Sequence, residues 1–194
     1  MYKIAIIGNA GSGKTSTSGF FMEMFEEKFN EIDKTYKDIY TLKFAEPMKC
    51  YDEYIRDNIE CTLPKKRGFY QELSDITKKY YGKKVFAEVF ETTSKEIEED
   101  FDNVGLIICD DCRTRTELNS CRKRDYITIS VDCDEETRIT RAKADGIDYM
   151  PNHNSENEVH LLKDKCDYVL DNSTDNLLDL KKQVEIVFND IIGN

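Results

Sequence analysis

The stretch that most constrains this chain is "YKIAIIGNAGSGKT", residues 2–15. Residues 2–7 are a short apolar run and read as a buried strand. They lead directly into a segment of the form G-x-x-x-x-G-K-[ST], from Gly8 to Thr15. Behind it Phe20, Phe21, Met24, Phe25 and Phe29 recur at helical spacing, which predicts a helix over 13–30. Glycines let the backbone turn tightly enough for its N–H groups to surround a phosphate, and the helix start adds the positive end of its dipole. In such a loop Lys14 reaches the β- and γ-phosphates and the Thr15 hydroxyl ligates Mg²⁺. The expected ATP-binding set is Gly8, Asn9, Ala10, Gly11, Ser12, Gly13, Lys14, Thr15 and Ser16. Lys14 is expected to stand exposed when no nucleotide is bound. A purely structural glycine turn would explain neither Lys14 nor Thr15.

Further short apolar runs follow at 38–45, 104–109, 126–131 and 166–172, separated by segments of helical periodicity. Strands alternating with helices predict an α/β fold with a parallel sheet covered on both faces. The 194 residues contain neither internal repeats nor a Pro/Gly/Ser-rich linker, so one domain is expected. No apolar run approaches the roughly 20 residues that a membrane helix needs. The apolar stretch behind Lys3 is too short for a secretory signal, and the expected location is the cytoplasm.

The net charge of −11 argues against nucleic acid or an anionic membrane as partner. A basic island, Lys65, Lys66, Arg67, Lys78, Lys79, Lys83 and Lys84, stands out against it. It is either a solvated helix face or a site for an anionic ligand. The seven cysteines are scattered, which suits a reducing compartment. Cys109 and Cys112 form a lone C-x-x-C in or beside an apolar run, and buried thiols are expected there rather than metal ligands.

A second acidic group for Mg²⁺ should lie at the end of a strand beside the loop. "LIICDD" supplies Asp110 and Asp111; the choice of Asp111, with Asp110 only ending the strand, rests on the resemblance given below. A GTPase would carry D-x-x-G after its third strand and N-K-x-D for guanine. "DNVG" precedes the strand and N-K-x-D is missing, so that class is set aside. Phosphoryl transfer requires positive charge around the moving group. Arg138 and Arg141, at i and i+3 after the fourth strand, are expected on one face of a lid helix above the phosphates. Ordinary surface arginines paired with Glu135 or Asp145 are the alternative. Arg113, just past the third strand, is placed to hold an acceptor phosphate, to which a planar guanidinium fork is well suited.

Several segments, taken in order, resemble the deoxynucleoside monophosphate kinase family best known from bacteriophages, within the P-loop nucleoside monophosphate kinases. These are "GNAGSGKT", "FAEPMK" (44–49), "RGFYQEL" (67–73), "DCRTRTE" (111–117), Arg138 with Arg141, "HNSENEV" (153–159) and "DYVLDNSTDNLLDL". Thr114, Thr116 and Ser74 depart from the family pattern. The resemblance implies a three-layer P-loop fold with a five-stranded parallel sheet in the order 2-3-1-4-5. It also implies a monophosphate-binding helical insert over 46–100 and a lid over 134–160.

By the same resemblance Arg67 and Gln71 face the nucleoside monophosphate. Arg113 grips its phosphate with Glu117 nearby, Asp111 and Glu156 belong to the substrate site, and Asn172 and Ser173 lie near the adenine. With no tryptophan available, a stacking base would have to use Phe44, Phe69, Tyr70 or Phe86. The implied reaction moves the γ-phosphoryl group of ATP, with Mg²⁺, to a (deoxy)nucleoside 5′-monophosphate. Lys14, Arg113, Arg138 and Arg141 are the expected catalytic residues, and Thr15 and Asp111 the metal residues. A homodimer is compatible with the resemblance. Two other readings stay open: a kinase of another phosphorylated acceptor, such as dephospho-coenzyme A or phosphomevalonate, and a nucleotide-gated binding protein without phosphotransfer.

Overall fold

The apolar run at the N-terminus becomes β1 (Tyr2–Ile7), the central strand of a five-stranded sheet. In a computed structural model, which describes residues 1–31, 37–63, 67–144, 154–174 and 176–192, β1 is flanked by β3 (Val104–Cys112) and β4 (Ile127–Asp132). The edges are β2 (Asp38–Thr41), beside β3, and β5 (Tyr168–Asp171), beside β4. All pairings are parallel and the order is β2-β3-β1-β4-β5. The strand order and layering expected from the sequence are therefore present.

Side chains alternate across a strand, and both faces of this sheet are apolar. Ile4, Ile6, Leu106, Ile108 and Ile129 point to one face. They meet Phe21 and Phe25 of α1 (Lys14–Glu26) and Val184 and Phe188 of α8 (Leu177–Ile192). Ala5, Ile7, Ile107 and Cys109 point to the other face and meet Phe90, Ile97, Leu118 and Cys121. Phe90 and Ile97 belong to α4 (Val85–Asp100), and Leu118 and Cys121 to α5 (Arg115–Lys123). α1 passes into a π-helical turn over Glu27–Glu31.

Between β2 and β3 the chain forms α2 (Glu46–Asn58), α3 (Arg67–Tyr81) and α4; α2 packs on α3, α3 on α4, and α4 on α5. Beyond β4 come α6 (Glu135–Ala144) and α7 (Asn154–Leu162). Residues 145–153, the middle of the expected lid, lie outside the described residues.

Two strand boundaries differ from expectation. β2 stops at Thr41 instead of running to Ala45, because the N–H groups of Phe44 and Ala45 turn to the Asp111 carboxylate at 3.0 Å each. β3 continues to Cys112 instead of stopping at Cys109, so Asp110 and Asp111 both belong to the strand. Cys109, Cys112 and Cys121 are buried free thiols, as expected for the first two. Burial pushes the Cys109 thiol up to about 12 and raises the other two as well, which leaves them unreactive.

Candidate active site

The turn from β1 into α1 has the backbone shape that a phosphate cradle needs. Gly11 (φ 75°) and Gly13 (φ 103°) are left-handed, a conformation open to glycine at little cost. Space alone would also exclude a side chain: a Cβ on Gly13 would lie 2.3 Å from the Asn172 amide nitrogen, and one on Gly11 would lie 2.9 Å from the Arg138 carbonyl. Lys14 corrects one expectation. It is only 7% exposed, and its Nζ donates to the Asn9 carbonyl at 2.7 Å. Thr15 is exposed beside it on the cavity wall. Asn172, expected near an adenine, is 4% exposed and donates its side-chain N–H to the Ser12 carbonyl at 2.8 Å. It pegs the end of β5 to the cradle. The Ser173 hydroxyl donates to Asp171 at 2.7 Å and accepts from the Asp134 N–H at 3.2 Å, just ahead of α6.

Above the cradle lies a cavity of about 590 Å³. Lys14, Thr15 and Ser16 line it together with Lys43, Lys49, Asp110, Asp111, Arg113 and Arg141. Asp110 does more than end a strand: its buried carboxylate is ion-paired with Lys43 at 2.9 Å. Burial works against the charge on Lys43, but the Asp110 carboxylate beside it outweighs that and holds the amine above its ordinary value. The Asp111 oxygens accept the Phe44 and Ala45 N–H groups. The oxygen donors on this wall, the Thr15 hydroxyl and two carboxylates, suit a hard cation such as Mg²⁺ that keeps much of its water. Among the described residues no group of three or more His, Cys, Asp or Glu side chains could hold a metal alone. A magnesium ion here would therefore also need oxygens from water and nucleotide.

The two lid arginines do not converge as expected. Arg141 lines the cavity and donates to the Asn172 carbonyl at 3.1 Å and the Thr174 carbonyl at 2.7 Å. Arg138 is 8% exposed and faces a separate recess of about 30 Å³ behind the cradle, with Asn9, Ser12, His160 and Lys163. Three residues leave a helix about 60° short of a full turn, so the two side chains start near one another, yet their tips enter different cavities.

A second cavity, of about 220 Å³, opens on the far side of Asp111 and Arg113. Phe44, buried and stacked on Phe90 (centroids 4.1 Å apart, planes at 15°), lines it with Phe86, Met48, Tyr70, Gln71 and Ser74. Lys49, Asp111 and Arg113 line both cavities. Glu117 also faces the second one, but one of its oxygens accepts the Arg113 and Thr114 N–H groups at 2.8 and 2.9 Å. With the Thr114 hydroxyl accepting from the Glu117 N–H, it forms the capping box that starts α5. Burial pushes its carboxyl up, against the Arg113 N–H that lowers it. The Tyr70 hydroxyl donates to Asp52 at 2.6 Å, and the Arg56 guanidinium sits on the same carboxylate at 2.9 Å.

Of the sequence-derived substrate residues, Phe44, Gln71, Asp111, Arg113 and Glu117 line this cavity. The side chains of Arg67 and Glu156, and His153 entirely, lie outside the described residues. Lys43, Lys49, Met48 and Lys78 are cavity residues that the sequence reading did not single out as site residues. Two of them had a signal: Lys49 closes the "FAEPMK" segment, and among the described island lysines Lys78 reaches a cavity while Lys79, Lys83 and Lys84 stay exposed; Lys65 and Lys66 lie outside the described residues.

The sequence matches no family model and no curated protein. Solved structures do resemble the fold. One is the Thermus thermophilus protein TT1252, at 16% identity and a TM-score of 0.55, covering 99% of this chain and 98% of that one. Another is a sugar kinase from Janibacter sp. HTCC2649, at 13% identity and a TM-score of 0.53, covering 99% and 96%. The likeness is one of fold: a three-layer α/β domain on a five-stranded parallel sheet in the order β2-β3-β1-β4-β5. In a P-loop fold the strand ends that carry the cradle form the ligand rim, and Lys43, Asp110, Asp111 and Arg113 stand at the ends of β2 and β3 on that rim.

Proposed function

We propose that this protein is an ATP-dependent phosphotransferase whose acceptor is a (deoxy)nucleoside 5′-monophosphate. The observation that carries the reading is the pair of adjoining cavities with a common wall of Lys49, Asp111 and Arg113. One holds the phosphate cradle and the other has a flat aromatic side at Phe44. A nucleotide in the first and a phosphate ester in the second would meet at two shared cations. The resemblance of segments such as "FAEPMK" and "DCRTRTE" supports a nucleotide as that ester.

In the reaction an acceptor phosphate oxygen attacks the γ-phosphorus and forms a new P–O bond. The P–O bond to the bridging β-oxygen breaks with its electron pair, giving ADP and a nucleoside diphosphate. The acceptor is already anionic, so no strong general base is needed, and positioning and charge supply the rate. Lys14 leaves the Asn9 carbonyl for the β/γ-phosphates, and the cradle N–H groups hold the β-phosphate. Arg113 and Lys49 hold the acceptor phosphate in line, while Phe44 and Gln71 position its base. Arg141 joins α6 to the 172–174 segment and closes the nucleotide side. Mg²⁺, held through Thr15 and an aspartate at the strand ends, would neutralise charge on the phosphates.

The test is ADP release from ATP with each dNMP and NMP, dephospho-coenzyme A, phosphomevalonate and a simple sugar. Turnover with one or more nucleoside monophosphates is expected. Turnover confined to another acceptor would keep the phosphotransferase and replace its substrate. ATP binding without turnover on any of them would leave a nucleotide-gated binding protein.

A further inference from the structure

Lys43 has no place in the phosphate-loop motif, yet it lines the nucleotide cavity together with Lys14 and Thr15. Its backbone is anchored on both sides. The Leu42 N–H continues the β2–β3 pairing onto the Ile108 carbonyl at 2.9 Å, and the next two N–H groups, of Phe44 and Ala45, end on Asp111. The side chain itself is long and only partly enclosed: 26% exposed, against 5% for its partner Asp110. A buried carboxylate requires a counter-charge, and Lys43 supplies it. The amine thus has a buried anion as its partner and stands on the wall of a cavity large enough for a nucleotide. A lysine ammonium offers three donors, so contact with Asp110 leaves others available.

We propose that Lys43 contacts the terminal phosphate of a bound nucleoside triphosphate, with Asp110 holding its amine at the cavity wall until that phosphate arrives. This rests on the nucleotide reading of the cradle, though not on the identity of the acceptor. The pair has two effects. Asp110 keeps the lysine from folding onto other surface groups in the free protein. Once the triphosphate is bound, the amine bridges two anions and adds a donor where negative charge is greatest.

Calorimetric titration without acceptor, using ADP and a non-hydrolysable ATP analogue, tests this. Lys43→Met keeps the stem and removes the charge. It should weaken binding of the triphosphate analogue by about ten-fold and leave ADP within about two-fold, because ADP lacks the contacted group. Lys43→Arg should restore most of the loss. Lys43→Met alone strands the buried Asp110 charge and could unfold the protein. The double variant Lys43→Met/Asp110→Asn removes that charge and should fold while showing the same selective loss.

The loss should persist in EDTA, since the contact is direct; a loss that required Mg²⁺ would overturn it. Equal weakening of ADP and analogue, or no change in the folded double variant, would also overturn it and leave a structural ion pair. Failure of the wild-type protein to bind either nucleotide would overturn the nucleotide reading and this inference together. An unexpected acceptor in the turnover panel would touch neither.

Discussion

Single side chains decide the chemistry of the cradle. Lys14 is held on the Asn9 carbonyl and is almost buried, so it is part of the loop before any ligand arrives. Lys14→Ala is expected to lower kcat by about 100-fold to 1000-fold, the effect of removing one donor from developing charge. The measurement is steady-state turnover on a variant shown by circular dichroism to be folded. Gly13→Ala should be damaging for a different reason. It forces a φ of 103° on a residue with a Cβ and drives that atom to 2.3 Å from the Asn172 amide. A loss of about 2 kcal/mol or more in denaturant unfolding is expected, together with loss of nucleotide binding. The shape of the cradle was legible in the sequence because its glycines meet a local demand for left-handed backbone at Gly11 and Gly13. The Lys43–Asp110 pair was not legible. It joins the ends of two strands that are neighbours only after the sheet forms, and neither residue has a pattern of its own.

Among the elements, α4 shows how the helices between β2 and β3 are fastened to the sheet. Its residue Glu98 accepts from Lys3 of β1 at 3.2 Å, from Ser94 at 3.0 Å, and from Arg124 just after α5. Burial raises the Glu98 carboxyl, but those three donors outweigh it and hold the group below its ordinary 4.5. A carboxylate with a lowered folded value stabilises above its unfolded value and loses that contribution as pH falls through the folded one. Glu98→Gln should therefore cost about 1 kcal/mol near neutral pH. Thermal melts across pH should show the gap from wild type closing as pH falls through the lowered value of the Glu98 carboxyl, below its ordinary 4.5. Strand and helix types were legible from periodicity, and the ends were not. "TLKFA" reads as a continuing strand, and only the Asp111 carboxylate, far away in sequence, turns Phe44 and Ala45 out of it. The shared face of Arg138 and Arg141 failed similarly, since i and i+3 fix proximity on a helix but not which cavity each tip enters.

At the scale of the whole molecule, a protein of net charge −11 gathers Lys14, Lys43, Lys49, Arg113 and Arg141 around one cavity. The cradle grows from the central strand, so ligand binding should stabilise the fold as a unit. An ATP analogue at about 100 times its Kd is expected to add about 2.7 kcal/mol, or a rise of about 5–10 °C in Tm, with one cooperative transition displaced intact. A melt in which only part of the transition moved would show that the chain unfolds in separate pieces. Alternating strands and helices made the parallel sheet legible, and the strand order followed from the family resemblance. The second cavity was only partly legible, because its wall is assembled by helices whose mutual packing no local pattern records. One carboxylate ties these scales together. Asp111 faces both cavities, and its two oxygens carry the backbone of Phe44 and Ala45. It stands as a pin common to two rooms: a ligand that turned this carboxylate in one would tilt the aromatic wall of the other. Thermodynamic linkage then fixes the traffic in both directions, for whatever factor the first guest applies to the second's affinity, the second must return to the first.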